Sequence, residues 1–175
     1  MAQSRIIETV HLEIVPFSET YLTQRYLSWL NDPEVVRYSE QRHRVHTLES
    51  CCEYMKSFVD TPNYFWALVT KNNELGHIGN MNAYVDLNNS VADLGILIGE
   101  RKAWRKGYGS EAWIAVCRYL LQEANIRKVT AGTLSVNRAM LGVIRRAGMV
   151  EDGRRNRHCL FEGSEIDVIY AAVYR

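Results

Sequence analysis

The sequence predicts a single α/β domain, in which a mixed sheet of about seven strands is flanked by about four helices. Its 175 residues fit one domain and are enough to bury a core. Apolar residues make up 47% and charged residues 23% of the chain, which is typical of a globular protein. Strand and helix patterns follow one another without a linker or a repeat. We therefore interpret residues 1–175 as one domain.

The N-terminal third is predicted to hold one strand and two helices. Alternating residues over His11–Val15 indicate a strand. Ser18 is a candidate cap for a helix that ends near residue 30, and Pro33 can open a short second helical turn. Thr47 is a candidate cap for a helix that continues to about Val59.

The rest of the chain alternates between strand and helix patterns. The predicted strands are Tyr64–Thr70, Leu75–Val85, Val91–Ile98, Lys128–Leu134, Val150–Phe161 and Glu165–Tyr174. The predicted helices are Gly107–Ala124 and Asn137–Ala147, with Gly148 as a candidate C-cap. Turns at 71–74 and 86–90 predict that the first three of these strands form an antiparallel meander, and the last two form a hairpin.

Composition argues against several classes of protein. The formal charge is +1, from 21 Lys and Arg against 20 Asp and Glu, which disfavours binding to nucleic acid or a membrane surface by bulk charge. No apolar run approaches the ~20 residues that cross a bilayer, and no apolar signal core opens the chain, so we expect a cytoplasmic protein. The four cysteines form no CxxC pair, and we predict neither a metal site nor a disulfide framework.

The segment Trp104–Ala112 carries the clearest chemical signal. Gly107 and Gly109 stand at the start of a predicted helix, where they leave backbone N–H groups uncovered. Those donors and the positive end of the helix dipole can hold a phosphate group. The alternative is a glycine-rich turn that merely begins a helix.

Two known phosphate motifs do not fit this segment. A P-loop needs GxxxxGK[ST], and the sequence contains no such string. Gly107–Ala112 matches the dinucleotide pattern GxGxxA, but Glu100–Lys106 separates these glycines from the preceding strand. The next strand also ends without an acidic residue, which disfavours a Rossmann fold.

Val91–Gly99 followed by Trp104–Ala112 resembles the acetyl-CoA motif of the GNAT N-acetyltransferases, [RQ]xxGx[GA], and Trp104 is frequent in the ribosomal-protein-acetyltransferase-like branch of that family. The resemblance implies the GNAT fold and acetyl-CoA as cosubstrate. It assigns the pyrophosphate to the loop donors Arg105, Lys106, Gly107, Tyr108, Gly109 and Ser110. It assigns the pantetheine arm to the strand residues Ile96, Leu97 and Ile98. The sequence departs from the pattern at Trp104 and Arg105.

A second segment, Asn137–Met149, resembles the later family pattern NxxAxxLYxxxGF. The resemblance implies that Asn137 contacts the CoA arm near the reacting centre, while its alternative role is a helix cap. Ile144 stands where many GNAT enzymes have a tyrosine that protonates the leaving thiolate, and isoleucine cannot donate a proton. Arg145 and Arg146 are candidates for the CoA phosphates or for a solvated face.

Leu27–Tyr38 and Thr47–Ser50 resemble acetyltransferases that modify nucleotide-linked amino sugars. The polar stretch between the first helices is implied to cover the acceptor site, where its basic residues could meet a nucleotide diphosphate. Its members are Arg37, Tyr38, Glu40, Arg42, His43 and Arg44. The alternative is a solvated loop, and Arg154–His158 is similarly undecided.

An amine must lose its proton before or during attack on an acetyl group. Asp93 and His77 lie on neighbouring predicted strands and are candidate bases, alone or as a pair. Residues 93, 95 and 97 should share one face, as should 77, 79 and 81. The alternative for each is a polar group on the strand surface. No Ser-His-Asp or Cys-His spacing is present, which favours direct attack in a ternary complex, with a strand amide near Leu97 or Ile98 holding the oxyanion.

The sequence leaves three functions open. The leading hypothesis is N-acetylation of a nucleotide-linked amino sugar. The second is acetylation of another amine, in a protein N-terminus, a polyamine or an antibiotic. The third is a CoA-binding module without catalysis, which Ile144 motivates. The expected partners are acetyl-CoA and a small-molecule amine, and pairing of the last strands between two subunits would give a homodimer.

Overall fold

A mixed sheet of eight strands forms the centre of the molecule in the computed structural model, which describes residues 5–71 and 74–175. The strands are β1 (Ile7–Glu8), β2 (Leu12–Pro16), β3 (Tyr64–Thr70), β4 (His77–Asp86), β5 (Val91–Ile98), β6 (Lys128–Leu134), β7 (Val150–Phe161) and β8 (Ser164–Tyr174). The helices are α1 (Gln24–Leu30), α2 (Leu48–Lys56), α3 (Tyr108–Gln122) and α4 (Arg138–Arg146). The predicted α/β class is confirmed, with β1 as an additional short strand.

The strand order across the sheet is β1-β2-β3-β4-β5-β6-β8-β7. Every neighbouring pair is antiparallel except β5 and β6, which are parallel and joined through α3. This is the crossover that a parallel pair requires. The predicted antiparallel meander of β3, β4 and β5 is confirmed, as is the C-terminal hairpin, which turns at Glu162 and Gly163 with positive φ angles of 49° and 79°.

The two faces of the sheet are covered differently. One face packs against α3 and α4, and Trp66 and Trp113 are completely buried in this core. On the opposite face, a smaller cluster around Trp29 and Phe65 joins α1 and α2 to the sheet. Farther along this second face, Asp93 on β5 and Gly132 on β6 remain exposed. The helices thus leave part of the second face open to ligands.

The first helix begins later than predicted. Residues 19–21 form a short 3₁₀ turn, and the Ser18 side chain makes no capping hydrogen bond. Thr23 caps α1 instead, because its hydroxyl accepts a hydrogen bond from the Tyr26 N–H at 3.1 Å. Ser18 as the cap of this helix is therefore wrong.

The predicted helical turn after Pro33 is confirmed as a single turn, because the Val36 N–H donates to the Asp32 carbonyl at 3.1 Å with the i→i+4 spacing of an α-helix. The Asp32 carboxylate caps this turn by accepting a hydrogen bond from the Glu34 N–H at 2.9 Å. The guanidinium group of Arg101 holds the same carboxylate through two bonds, of 2.6 and 3.0 Å. This ion pair ties the end of α1 to the loop after β5.

Side-chain caps agree with the sequence for the other two short helices. Thr47 and Ser50 form a reciprocal capping box on α2, which ends at Lys56, three residues earlier than predicted. Asn137 caps α4, and Gly148 follows it with a φ of +70°. The predicted turn at 71–74 includes residues 72 and 73, which lie outside the described residues. No described helix is long and apolar enough to cross a membrane.

Candidate functional site

Strands β5 and β6 separate after a short stretch of pairing. Only three residue pairs join them, and the last is Asp93 with Thr130. Beyond this vertex, no strand within residues 5–71 and 74–175 pairs with Leu94–Ile98 on the β6 side. Unpaired backbone N–H and C=O groups on such an edge can bind an extended ligand. Ile96, Leu97 and Ile98, the residues predicted to hold a pantetheine arm, lie on this free edge.

The loop after β5 leads into an uncapped helix N-terminus. The Trp104 indole N–H donates to the carbonyl of Ile98 at 2.8 Å, which ties the loop to the end of the strand. Gly107 has a φ of +89° and caps α3 without a side-chain hydrogen bond. Among the described residues, no side chain caps the N–H groups of Tyr108, Gly109 and Ser110, and with the dipole of a 15-residue helix these groups can bind an anion.

Basic side chains surround this helix start. Arg105 is exposed and has a positive φ of 62°, and the ammonium of Lys106 lies 3.4 Å from a carboxylate oxygen of Glu74. Arg146 donates to the Ser110 hydroxyl at 3.4 Å. The sequence offered both Arg145 and Arg146 as candidates for the CoA phosphates, and Arg146 is the one that contacts the first turn of α3 in the structure. Successive helical residues point in directions about 100° apart, so only tertiary packing selects between them.

His77 lies at the start of β4 in a cluster of aromatic rings. Its ring centroid is 4.9 Å from that of Tyr21 and 5.0 Å from that of Trp29, and its Nε2 is 2.9 Å from the Gly79 carbonyl oxygen. Burial lowers the pKa of His77 to about 4, so the ring is neutral at neutral pH. The Nε2 atom then carries the proton that it donates to the carbonyl, which leaves Nδ1 as the basic nitrogen.

The structure does not bring His77 and Asp93 together. Asp93 pairs with Tyr84, which is seven residues from His77 along β4. One of these seven residues is the extra residue of a β-bulge, so at about 3.3 Å per residue the two positions are roughly 20 Å apart. The predicted catalytic pair is therefore wrong, because antiparallel pairing places the start of β4 against the end of β5. A role for either residue alone stays a prediction.

Asp93 occupies the vertex of the split between the strands. Its carboxylate accepts a hydrogen bond from the Thr130 hydroxyl at 2.9 Å. Part of the side chain reaches solvent, yet the protein atoms around the carboxyl group exclude enough water to raise the pKa of Asp93. The hydrogen bond from Thr130 opposes this increase. A carboxylate with a raised pKa accepts protons more readily than an ordinary one.

Asn137 has both ends of its side-chain amide engaged within the protein. The oxygen accepts from the Met140 N–H at 3.2 Å, and the nitrogen donates to the Thr133 hydroxyl at 3.2 Å. This geometry is that of a helix cap, so a contact with the cofactor stays a prediction. Ile144 is buried in the core between α4 and the sheet and offers no proton to a leaving group.

The open face of β4 carries two asparagines that the sequence pattern did not indicate. The register of β3 with β4 shifts between Leu68 and Val69, which places His77 and Gly79 opposite consecutive residues. After this bulge, the residues on the open face of β4 are 80, 82 and 84, whereas regular alternation predicted 77, 79 and 81. Asn80 and Asn82 therefore face the same side as Asp93. A bulge leaves no strong signal in a single sequence.

The segment between α1 and α2 contacts the tip of the β7–β8 hairpin. Arg37 donates two hydrogen bonds to Glu162, at 2.7 and 3.1 Å, and the rings of Tyr38 and Phe161 stack with centroids 5.5 Å apart. A cavity of about 520 Å³ lies beside this contact. It is lined by Leu30, Asn31, Pro33, Val36, Arg37, Arg42, His43, Arg44, Val45, Phe161 and Glu162. The sequence pattern indicated its arginines but not Phe161 and Glu162.

Comparison with known proteins agrees with this geometry. The model of the acetyltransferase (GNAT) domain family matches residues 11–150. A search of curated protein sequences gave no match. Similar solved structures include RimL, a ribosomal L7/L12 α-N-protein acetyltransferase in complex with coenzyme A, with a TM-score of 0.84, 15% identity and coverage of 97% of this chain and 98% of that one.

Two further structures have the same fold. A spermidine N-acetyltransferase from Vibrio cholerae, in complex with CoA and spermine, has a TM-score of 0.83 and 16% identity, with coverage of 95% of this chain and 96% of that one. A GNAT-family acetyltransferase from Bacillus anthracis has a TM-score of 0.81 and 19% identity, with coverage of 97% and 98%.

The free edge of β5 fits the extended, amide-bearing arm of a cosubstrate. The uncapped start of α3 and the basic side chains around it fit a phosphate-bearing end. Among residues 5–71 and 74–175, no group of His, Cys, Asp and Glu could hold a metal ion. The family model covers most of the chain. The chain therefore belongs to the GNAT acetyltransferases and is an acetyl-CoA-dependent N-acetyltransferase.

Proposed function

We propose that the acceptor is the primary amine of a nucleotide-linked amino sugar. The observation that carries this proposal is the charge of the cavity beside the β7–β8 hairpin. Three arginines and a histidine line it, against one acidic residue, Glu162. A diphosphate is complementary to such a cavity, because guanidinium groups bind phosphate through paired, charge-assisted hydrogen bonds.

The three arginines of this cavity differ in whether they form an ion pair within the protein. Arg37 is engaged by Glu162, and Arg42 lies 3.0 Å from a carboxylate oxygen of Glu40. Arg44 has no ion pair with the described residues and is exposed. Apolar side chains, including Val45 and Phe161, line the same cavity. A mixture of cationic and apolar surface suits a ligand with phosphates and a flat base.

The transfer step requires a group that takes the proton of the amine. Asp93 stands at the vertex of the cleft, and its raised pKa suits a general base that acts directly or through a water molecule. Backbone amides on the free edge of β5 can hold the developing negative charge on the acetyl oxygen. Since Ile144 cannot donate, solvent supplies the proton to the departing thiolate. This scheme is direct attack in a ternary complex.

Acceptors of other classes would make different demands on the cavity. A polyamine carries several positive charges and would meet repulsion from the arginines. A protein N-terminus needs a groove for an extended peptide rather than a cluster of arginines. Binding of acetyl-CoA without turnover would instead support the non-catalytic alternative that Ile144 motivates.

The test is a thiol-release assay with acetyl-CoA and a panel of amines. The panel holds UDP-linked amino sugars, spermidine, aminoglycosides and short peptides. We expect turnover with a sugar nucleotide, and we expect Arg44→Ala to raise KM for that acceptor about tenfold while the Kd for acetyl-CoA is unchanged. Turnover of spermidine or peptides in place of sugar nucleotides would contradict the proposal.

A further inference from the structure

Two asparagines lie on the face of β4 that Asp93 shares on β5, where Asn80 is buried and Asn82 is half-buried. Asn80 pairs with Leu97 and Asn82 pairs with Gly95, so both stand next to the free half of β5. The side-chain oxygen of Asn80 is buried and has no hydrogen-bond partner among the described residues. A buried carbonyl without a donor is costly, and such groups are normally satisfied by water or by a ligand.

Gly95 makes room for the second asparagine. A Cβ atom placed on Gly95 would lie 2.7 Å from the side-chain oxygen of Asn82, closer than real Cβ contacts. The carboxamide of Asn82 therefore lies across the β5 backbone. Gly95 is two residues past Asp93, the last residue of β5 that pairs with β6. Asn82 thus lies diagonally across the β4–β5 pair from Asp93, on the same face of the sheet.

The chemistry of these side chains limits the ligand. A carboxamide is neutral and both donates and accepts hydrogen bonds, which suits a hydroxyl group better than an ammonium ion. A site for a cationic polyamine would place carboxylates at these positions. The Asp93 carboxylate then remains free to accept the proton of the amine.

We propose that Asn82, held in place by the clearance at Gly95, selects acceptors with a hydroxyl group beside the reactive amine. Its amide binds that hydroxyl and thereby directs the amine towards the cleft. This inference deepens the proposed function, because the amine of an amino sugar has such a hydroxyl neighbour. Asn82 is a specificity-determining residue in this scheme, and Asp93 is the base.

The test compares acceptors that differ in a single hydroxyl group beside the amine. One pair is a UDP-linked 2-amino sugar and its 3-deoxy analogue, and the other is a peptide that begins with Ser and one that begins with Ala. The enzyme variants are Asn82→Ala and Gly95→Ala, in which the new methyl group displaces the Asn82 amide. The matched control is Asn88→Ala, in the exposed turn after β4. Calorimetry gives the Kd for acetyl-CoA.

We expect both variants to lower kcat/KM for the hydroxylated acceptor about tenfold, with little change for its partner lacking the hydroxyl. The Kd for acetyl-CoA and the kinetics of the control should match the wild type. Equal losses on both acceptors, or no loss, would overturn the inference while turnover of the sugar nucleotide upholds the proposed function. Selective losses on the peptide pair alone would reject the proposed function and uphold the inference. Turnover of spermidine alone, or of no amine, would overturn both.

Discussion

Asp93 illustrates how a single residue acquires a chemical character from its position. The surrounding strands exclude water from the carboxyl group and raise its pKa, and the Thr130 hydroxyl donates a hydrogen bond to it. His77 lies in a more enclosed environment, where burial lowers its pKa and keeps it neutral. Both residues are polar positions in strand patterns, and neither their burial nor the roughly 20 Å between them can be read from periodicity. Residue-scale chemistry therefore depends on the register of the sheet.

Replacement of Asp93 separates its contributions to activity and stability. The raised pKa means that the folded state binds this proton more tightly than the unfolded state. Asp93 therefore favours folding below its unfolded pKa and costs stability as pH rises through its folded pKa. We expect Asp93→Asn to lower kcat/KM by about 10²-fold or more at neutral pH, with no loss of unfolding free energy.

The measurements are a pH–rate profile and chemical denaturation. The wild-type kcat/KM should fall as pH decreases through the raised pKa of Asp93, and the variant should lack this limb. Asp60→Asn is the matched control, because Asp60 is exposed and its φ of 56° is one that asparagine tolerates. An acid limb that persists in Asp93→Asn would assign the base to another group.

At the scale of elements, the start of α3 owes its binding capacity to backbone N–H groups rather than to side chains. Gly107 adopts a φ of +89°, and a Cβ atom there would meet no other atom within 4 Å. The requirement for glycine is therefore conformational and not steric. This left-handed residue turns the chain so that the first N–H groups of the helix remain uncovered. The sequence pattern predicted this arrangement, because a glycine at the N-cap brings no side chain that could accept from those N–H groups.

We expect Gly107→Ala to weaken acetyl-CoA binding through this backbone strain. The substitution should cost about 1 kcal/mol of unfolding free energy and raise the Kd for acetyl-CoA several-fold, since the N–H groups must reorient. Gly76→Ala is the matched control, because Gly76 has a φ of +63° and equally open surroundings. Denaturation and calorimetry should find a similar loss of stability in both variants but a change in Kd only in Gly107→Ala. An unchanged Kd in both would place the anion site elsewhere.

At the scale of the whole molecule, the cavity that we propose for the acceptor is formed by parts that are distant in sequence. Arg37 and Glu162 are 125 positions apart, and Tyr38 stacks on Phe161 across the same contact. The guanidinium of Arg37 lies 5.5 Å from the Tyr38 ring centroid and 5.7 Å from that of Phe161. The β7–β8 hairpin therefore completes a cavity that the N-terminal segment begins. Strand β7 is an edge of the sheet, and its pairing in a homodimer remains a prediction.

The contact predicts a selective effect of Arg37→Ala. We expect a higher KM for the anionic acceptor and a weaker dependence of that KM on salt, because the substitution removes one cation and the hydrogen bonds to Glu162. The unfolding free energy should change little, since this ion pair is largely exposed. Arg5→Ala is the control, because Arg5 forms an exposed pair with Glu123 on another surface. Equal kinetic effects of both substitutions would exclude a specific role for Arg37.

The sequence by itself determined the order of elements apart from the short strand β1, the antiparallel meander, the glycine start of α3 and the caps at Thr47 and Gly148. These features depend on local periodicity and on the conformations that single residues permit. Only the tertiary structure decided where β5 leaves β6, which face of β4 is open, that Arg146 reaches Ser110, and that the hairpin meets Arg37. Those features depend on strand register, on a bulge and on contacts between distant segments. These interactions join residues that are far apart in the chain, so local sequence patterns do not predict them.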